Sequence, residues 1–252
     1  MKTKILFIPL FVLLMTGCAE LMSILESSTT GSASLTQEEV ARGLKEALNT
    51  GANNASAILS AENGYFGDEL VKILLPPEAN TILENLSKLP GGQQLVDDVV
   101  LRINRSAEDA AKEVAPIFIN SIRQMTIGDA FSILKGENDA ATEYLRKTSY
   151  QQLYNLYKPK IAASTSKEIV AGISTKESWD ALTGKWNKVA NSIPGKIAGL
   201  TPVETDLDDY LTRRALDGVF LKVADEELKI RTQVSSRVTP LLQKVFGSLD
   251  NK

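Results

Sequence analysis

The sequence predicts an all-α fold, a single domain of roughly eight to ten helices. Apolar residues recur at helical spacing almost throughout, and strict strand-like alternation is missing. Capping residues and Pro–Gly pairs punctuate the periodic stretches. The first helix opens with a capping box, Thr36 with Glu39, and a hydrophobic staple, Leu35 with Val40. It runs to about Leu59, with a bend near Gly51. Asn63-Gly64-Tyr65-Phe66-Gly67 reads as a turn. The apolar run Leu70 to Leu75, ending at Pro76-Pro77, fits a helical turn or an extended segment equally. A helix from about Glu78 to Leu89 is stopped by Pro90-Gly91-Gly92.

From Gln93 to Met125 the pattern is the longest in the chain, kinked at Pro116. Val96, Ile103, Ala110 and Ile117 form its apolar stripe, with Val100, Ala107 and Val114 beside them. The other face reads as a solvated surface pairing Asp98 with Arg102, Arg105 with Asp109, and Glu108 with Lys112. Thr126 caps a short helix ending near Gly136, and another runs from Asp139 to Lys147. Thr148 with Gln151 starts a helix whose inner face is Tyr150, Leu153, Tyr154, Tyr157 and Ile161. After Thr175, a further helix turns Trp179, Leu182, Trp186, Val189 and Ile193 inward and closes at Pro194-Gly195. Asp206 leads a long helix with two apolar rows, Leu207 to Val223 and Leu216 to Leu228. The last helix spans about Ser236 to Phe246 and gives Val238, Leu241, Leu242, Val245 and Phe246 to the core.

The amino terminus carries an address. Lys2 and Lys4 precede an 11-residue apolar run, Ile5 to Met15, and Thr16-Gly17 puts small residues before the single cysteine, Cys18. The run covers about half of the roughly 20 residues needed to span a bilayer, so it reads as a cleaved signal. Leu14-Met15-Thr16-Gly17-Cys18 resembles a bacterial lipobox. That resemblance implies residues 1–17 as a lipoprotein signal peptide, lipidation at Cys18, residues 18–34 as lipid anchor and flexible tether, and 35–252 as the helical domain. Under the Gram-negative sorting rule, Ala19 after the cysteine implies an outer-membrane, lipid-anchored location on the periplasmic side. Glu26 to Ser34 has the small polar composition of a flexible tether.

Composition narrows the chemistry further. With no histidine and one cysteine, imidazole triads and the usual zinc, copper and non-haem iron sites are excluded. No metal site and no cofactor is expected. A formal net charge of −3 makes the chain a poor match for nucleic acid or for anionic lipid headgroups.

Several blocks resemble a bacterial lipoprotein family, domain of unknown function 4197. They are Leu35-Thr36 with Gly43-Leu44-Lys45-Glu46-Ala47-Leu48, Asn104-Arg105-Ser106-Ala107-Glu108, Met125-Thr126 with Asp129-Ala130, and Ala140-Ala141-Thr142 with Tyr144. Glu226-Glu227 with Ile230-Arg231, and Arg237 with Val245-Phe246-Gly247, complete the set. The resemblance implies no established activity.

Two groups of candidate site residues emerge. Tyr150, Tyr154 and Tyr157 make a stripe that either packs in the core or lines a pocket for a lipid-like ligand. Arg105, Glu108, Asp109, Asp129, Glu227 and Arg231 form a candidate polar cluster. Trp179 and Trp186 with Lys176, Lys185 and Lys188 read either as core or as a membrane-dipping patch. Asp206 to Asp209 with Asp225 to Glu227 suit either Ca²⁺ or Mg²⁺ or, with no metal, helix capping and ion pairs.

The chain is therefore expected to be a cell-envelope lipoprotein, a non-enzymatic binding or scaffold module at the outer membrane. Its expected partners are the membrane, through the anchor at Cys18, and another envelope protein or an apolar small molecule. The alternatives are a carrier of a small apolar or lipid-like ligand, and a carboxylate-dependent hydrolase or transferase with Glu108, Asp109 or Asp129 as general base.

Overall fold

The computed structural model describes residues 34–86, 92–128 and 130–250. Cys18, the apolar run before it, the tether to Ala33, and Asp129 lie outside the described residues. The chain divides into two units, Met1–Thr36 and Gln37–Lys252, and the architecture that follows is that of the second.

Ten α-helices and no strands occur among the described residues, so the fold is all-α. They are α1 (Gln37–Leu59), α2 (Asn80–Leu86), α3 (Gly92–Ala111), α4 (Val114–Gln124), α5 (Ala130–Leu134), α6 (Ala140–Thr165), α7 (Thr175–Ala190), α8 (Ile193–Ile197), α9 (Leu207–Thr232) and α10 (Pro240–Gly247). Short 3₁₀ turns, Pro77–Ala79 and Val234–Ser236, precede α2 and α10. No described helix is long and apolar enough to cross a membrane.

The core is built around α1, which packs chiefly against α9 and α4 and also meets α5 and α10. Gly43 and Gly51 allow this closeness. A Cβ at 43 would lie 2.7 Å from Val245 Cγ2 of α10, and one at 51 would lie 3.1 Å from Val223 Cγ1 of α9. α1 runs unbroken through Gly51. On α9 the row Leu207, Leu211, Ala215, Val219, Val223 is buried, and Asp206 caps the helix by accepting Asp209 N–H at 3.1 Å. Phe220 meets Phe118 of α4 at 5.4 Å between ring centroids.

Several expected elements take a different form. The 93–125 stretch is two helices, broken at Lys112 and Glu113 rather than kinked at Pro116. Pro116 has no N–H to offer the Lys112 carbonyl, and its ring crowds that carbonyl, so the break falls one turn upstream. The stretches expected as separate helices around Lys147 are one helix, α6. Thr148 is not a cap, because its hydroxyl bonds back to Tyr144 O at 2.7 Å. The buried row of α6 is Leu145, Ser149, Leu153, Tyr157 and Ile161, which leaves Tyr150 and Tyr154 half-buried. Ser174, not Thr175, caps α7 through a complete capping box with Glu177. Val189, Ile193 and Val238, expected in the core, are exposed. The chain turns into α8 right after Ala190, and α10 starts only at Pro240, capped by Thr239.

Residues 72–76 adopt neither helix nor turn. The undecided Leu70–Leu75 run is therefore not helical in its second half, and a side chain from α3 fixes it there.

Candidate functional site

The polar face of α3 is a set of anchors for the non-helical segments, not a solvated surface. Asn104 is fully buried and pairs with Ile73 as a strand would: its Oδ1 accepts Ile73 N–H at 2.9 Å, and its Nδ2 donates to Ile73 O at 2.8 Å. Glu108 Oε1 accepts the backbone N–H groups of Tyr65 and Phe66, both at 3.1 Å, while Oε2 pairs with Arg105. Arg105 also reaches Glu62 and Asn63 in the same turn. Arg102 is buried and donates to the carbonyls of Val170 and Ile173, closing the turn before α7, and it pairs with Asp98 at 2.7 Å. Ser106 meets Thr175 at 2.8 Å.

Asp109 pairs with Lys167 and Lys112 rather than with Arg105. Partial burial pushes its carboxyl up, but hydrogen bonds from Lys167, Ser164 and Lys112 outweigh this and bring it down from 3.8 to about 2. A general base needs the opposite shift.

A second buried group lies at the far end of α9. Glu227 accepts Ala141 N–H at 3.0 Å, Thr142 N–H at 2.8 Å and the Thr142 hydroxyl at 2.7 Å, which caps α6 from another helix. Arg231 pairs with Glu227 at 2.7 Å and donates to Leu134 O at the end of α5. Arg237 donates to Ile230 O and Arg231 O and pairs with Asp250. Arg105, Glu108 and Asp109 thus sit together on α3, while Glu227 and Arg231 form a separate pair on α9 joining α5 to α6. Asp129 lies outside the described residues. The carboxylate oxygens of Glu108 and Glu227 are occupied by backbone amides and guanidinium groups, and those of Asp109 by Lys167, Lys112 and the Ser164 hydroxyl, an arrangement suited to holding structure.

Tyr157 is buried, and burial pushes its hydroxyl far above the usual tyrosine range. That hydroxyl makes no hydrogen bond of good geometry. Tyr150 stacks on Phe220 at 6.2 Å, and Tyr154 bonds Asp209 beneath the Arg213 guanidinium. None of the three lines the cavities flanking the Leu70–Leu75 segment or those beside Thr205. Trp179 is in the core, and Trp186 donates its indole N–H to Thr201 O at 2.9 Å. Asp206 caps α9, Asp208 accepts the Thr165 hydroxyl, and Glu226 pairs with Lys229. Among the described residues no group of three acidic side chains is placed to hold a cation.

A cavity of about 630 Å³ forms a groove between the Leu70–Leu75 segment, the start of α6 and the middle of α9. Its apolar side is Val71, Phe220 and Leu221, and its rim carries Arg146, Arg214 and Asp217. Arg146 stacks on Phe220 at 4.4 Å and pairs with Asp217, which holds the rim in place. Across the same segment lies a second cavity of about 440 Å³, lined by Phe66, Leu75, Leu83 and Val96 among others. Two further cavities, of about 170 Å³ and about 500 Å³, lie beside Thr205. Leu70 and Leu74, on the segment between the cavities of about 630 and 440 Å³, are 77% and 61% exposed. The Tyr210 hydroxyl bonds Leu74 O at 3.1 Å, while Leu74 N–H has no partner among the described residues.

Sequence reasoning missed Arg102, Asn104, Ser106 and Tyr65 as organising residues, while Arg237 was read with Arg231 as part of an ion-pair cluster near Glu227. The available trace was the presence of Asn104 and Ser106, both polar, among the apolar positions of α3.

No curated protein and no solved structure matches the chain. A family model does, over residues 34–247, and the chain belongs to that family, described as Protein of unknown function (DUF4197).

Proposed function

We propose that the chain is a non-enzymatic binding module of the cell envelope, tethered by lipid at Cys18 to the periplasmic side of the outer membrane. In this reading it presents the Leu70–Leu75 ridge to another envelope protein. The observation that carries it is the ridge itself: two exposed leucines, an open backbone amide at Leu74 and a groove of about 630 Å³ alongside. Side chains from α3 and α9 pin the ridge, so a partner would meet a preformed surface, which lowers the ordering cost of binding. An extended partner segment would pair with the Leu74 amide, seat alternate side chains in the groove, and meet Arg146 and Arg214 at the rim. The occupied carboxylates of Glu108 and Glu227, and the lowered carboxyl of Asp109, weigh against general-base chemistry.

The test is a photo-crosslinking residue placed at Leu74 in the full chain in cells, with Leu156, an exposed leucine on α6, as control. The expected result is one discrete protein adduct at 74, absent at 156 and lost with Arg214→Glu. Equal adducts at both positions, or none at 74, would refute the reading.

A further inference from the structure

The corner joining α7 to α8 exposes apolar side chains on a rigid frame. Ser192 caps α8 by accepting Gly195 N–H at 3.1 Å, and Pro194 occupies the first turn. A Cβ at position 195 would lie 2.0 Å from the Val189 carbonyl oxygen, so only glycine lets α8 fold this tightly onto the end of α7. The chain then leaves α8 through Gly199, at φ +72, with Leu200 N–H returned to Gly195 O at 3.0 Å.

On this frame Val189, Ile193 and Ile197 are 53%, 77% and 83% exposed. Ile193 and Ile197 stand one helical turn apart, on one face of α8. Lys185, Lys188 and Lys196, in the same stretch of chain, are exposed, and none is in an ion pair among the described residues. No Asp or Glu occurs between Asp180 and Glu204. The segment is therefore locally cationic in a chain whose net charge is −3.

Exposed isoleucines on a segment that also carries three exposed lysines outside any ion pair match the layered chemistry of an anionic bilayer surface, apolar below and phosphate above. A typical protein partner would instead be met with aromatic and arginine side chains. We propose that the α7–α8 corner is a membrane-contact site for anionic phospholipid. Ile193 and Ile197 seat below the headgroup layer, and Lys185, Lys188 and Lys196 pair with the phosphates. The contact is independent of the tether at Cys18 and of the ridge at Leu74. It orients the domain on the bilayer as a second, local attachment.

The full chain carrying Cys18→Ser has no thiol, so Ile197→Cys in that background takes one polarity-sensitive fluorophore. The readout is local to residue 197, which separates this contact from any adsorption of the amino terminus. With phosphatidylcholine vesicles containing phosphatidylglycerol, the emission shifts to the blue, and the shift weakens as salt is raised. Each lysine is worth about fivefold in partitioning, so Lys185→Glu, Lys188→Glu and Lys196→Glu together abolish the shift. Lys185, Lys188, Lys196, Ile197 and Leu156 are all exposed, so these substitutions retain the fold of the helical domain. Absence of a shift at 197 would overturn the proposal. So would an equal shift with phosphatidylcholine alone or at Leu156→Cys, or a shift that requires added envelope protein in place of the anionic lipid.

Discussion

Glu227 and Arg231 stand one turn apart on α9 and join two helix ends that are not their own. The carboxylate receives the amides of Ala141 and Thr142 at the start of α6, and the guanidinium donates to Leu134 O at the end of α5. The pair at 2.7 Å closes the link between them. Negative charge at a helix start and positive charge at a helix end both oppose the local dipole, so each partner favours the position it occupies.

Glu227→Ala leaves Arg231 buried without its counter-charge and frees two buried amides. Its expected cost is about 3–5 kcal/mol of unfolding free energy. Urea unfolding of the variant beside the wild type measures it. A midpoint unchanged by the substitution would show that the pair is not the link described.

Two buried tyrosines predict opposite responses to loss of their hydroxyls. Tyr65 donates to Ala215 O at 2.8 Å, so Tyr65→Phe orphans a buried carbonyl and costs about 1–2 kcal/mol. The Tyr157 hydroxyl is buried without a well-formed bond, so Tyr157→Phe leaves stability unchanged or raises it by up to about 1 kcal/mol. Thermal unfolding of both variants checks the contrast, and a costly Tyr157→Phe would reveal a polar partner at that site.

Asp109 makes stability depend on acid pH. Its folded carboxyl titrates near about 2, below the 3.8 of an ordinary aspartate, so the unfolded chain binds the proton more readily. The stabilisation is complete above about pH 4 and drains away as pH falls towards about 2. Asp109→Asn should be less stable than wild type at neutral pH, and the two curves should converge in that acid window. Parallel curves down to the lowest pH would contradict the assignment.

Much of the helical frame was legible in the sequence because capping is local chemistry. Asp206 announces its helix through a side chain that meets the amide three residues on, whereas Ser192 and Thr239 cap theirs in the same way but went unread. Longer-range competition was not legible. Thr148 looks like a cap but bonds back to Tyr144 inside a continuous helix. Pro116 acts through the carbonyl of Lys112, so its break lies upstream of the residue that causes it. The charges of α3 read as surface pairs because helical spacing cannot reveal that the 61–75 and 164–175 segments lie over that face. Arg102, Asn104 and Glu108 meet backbone from those segments 31 to 71 residues away in sequence. Val189 and Ile193 fit a buried stripe by spacing, yet the tight turn at Gly195 turns them outward.

The claim joining fold to function is that Asn104 holds the Leu70–Leu75 ridge ready before any partner arrives. Amide hydrogen exchange at Ile73 tests it most directly, compared between the wild-type chain and Asn104→Ala, with crosslinking yield at Leu74 measured in parallel. The account predicts a protected Ile73 amide in the unbound wild type, at least a hundredfold faster exchange in the variant, corresponding to about 2–4 kcal/mol, and a matching fall in crosslinking. An Ile73 amide that exchanges at the same rate in both chains, with crosslinking intact, would contradict it.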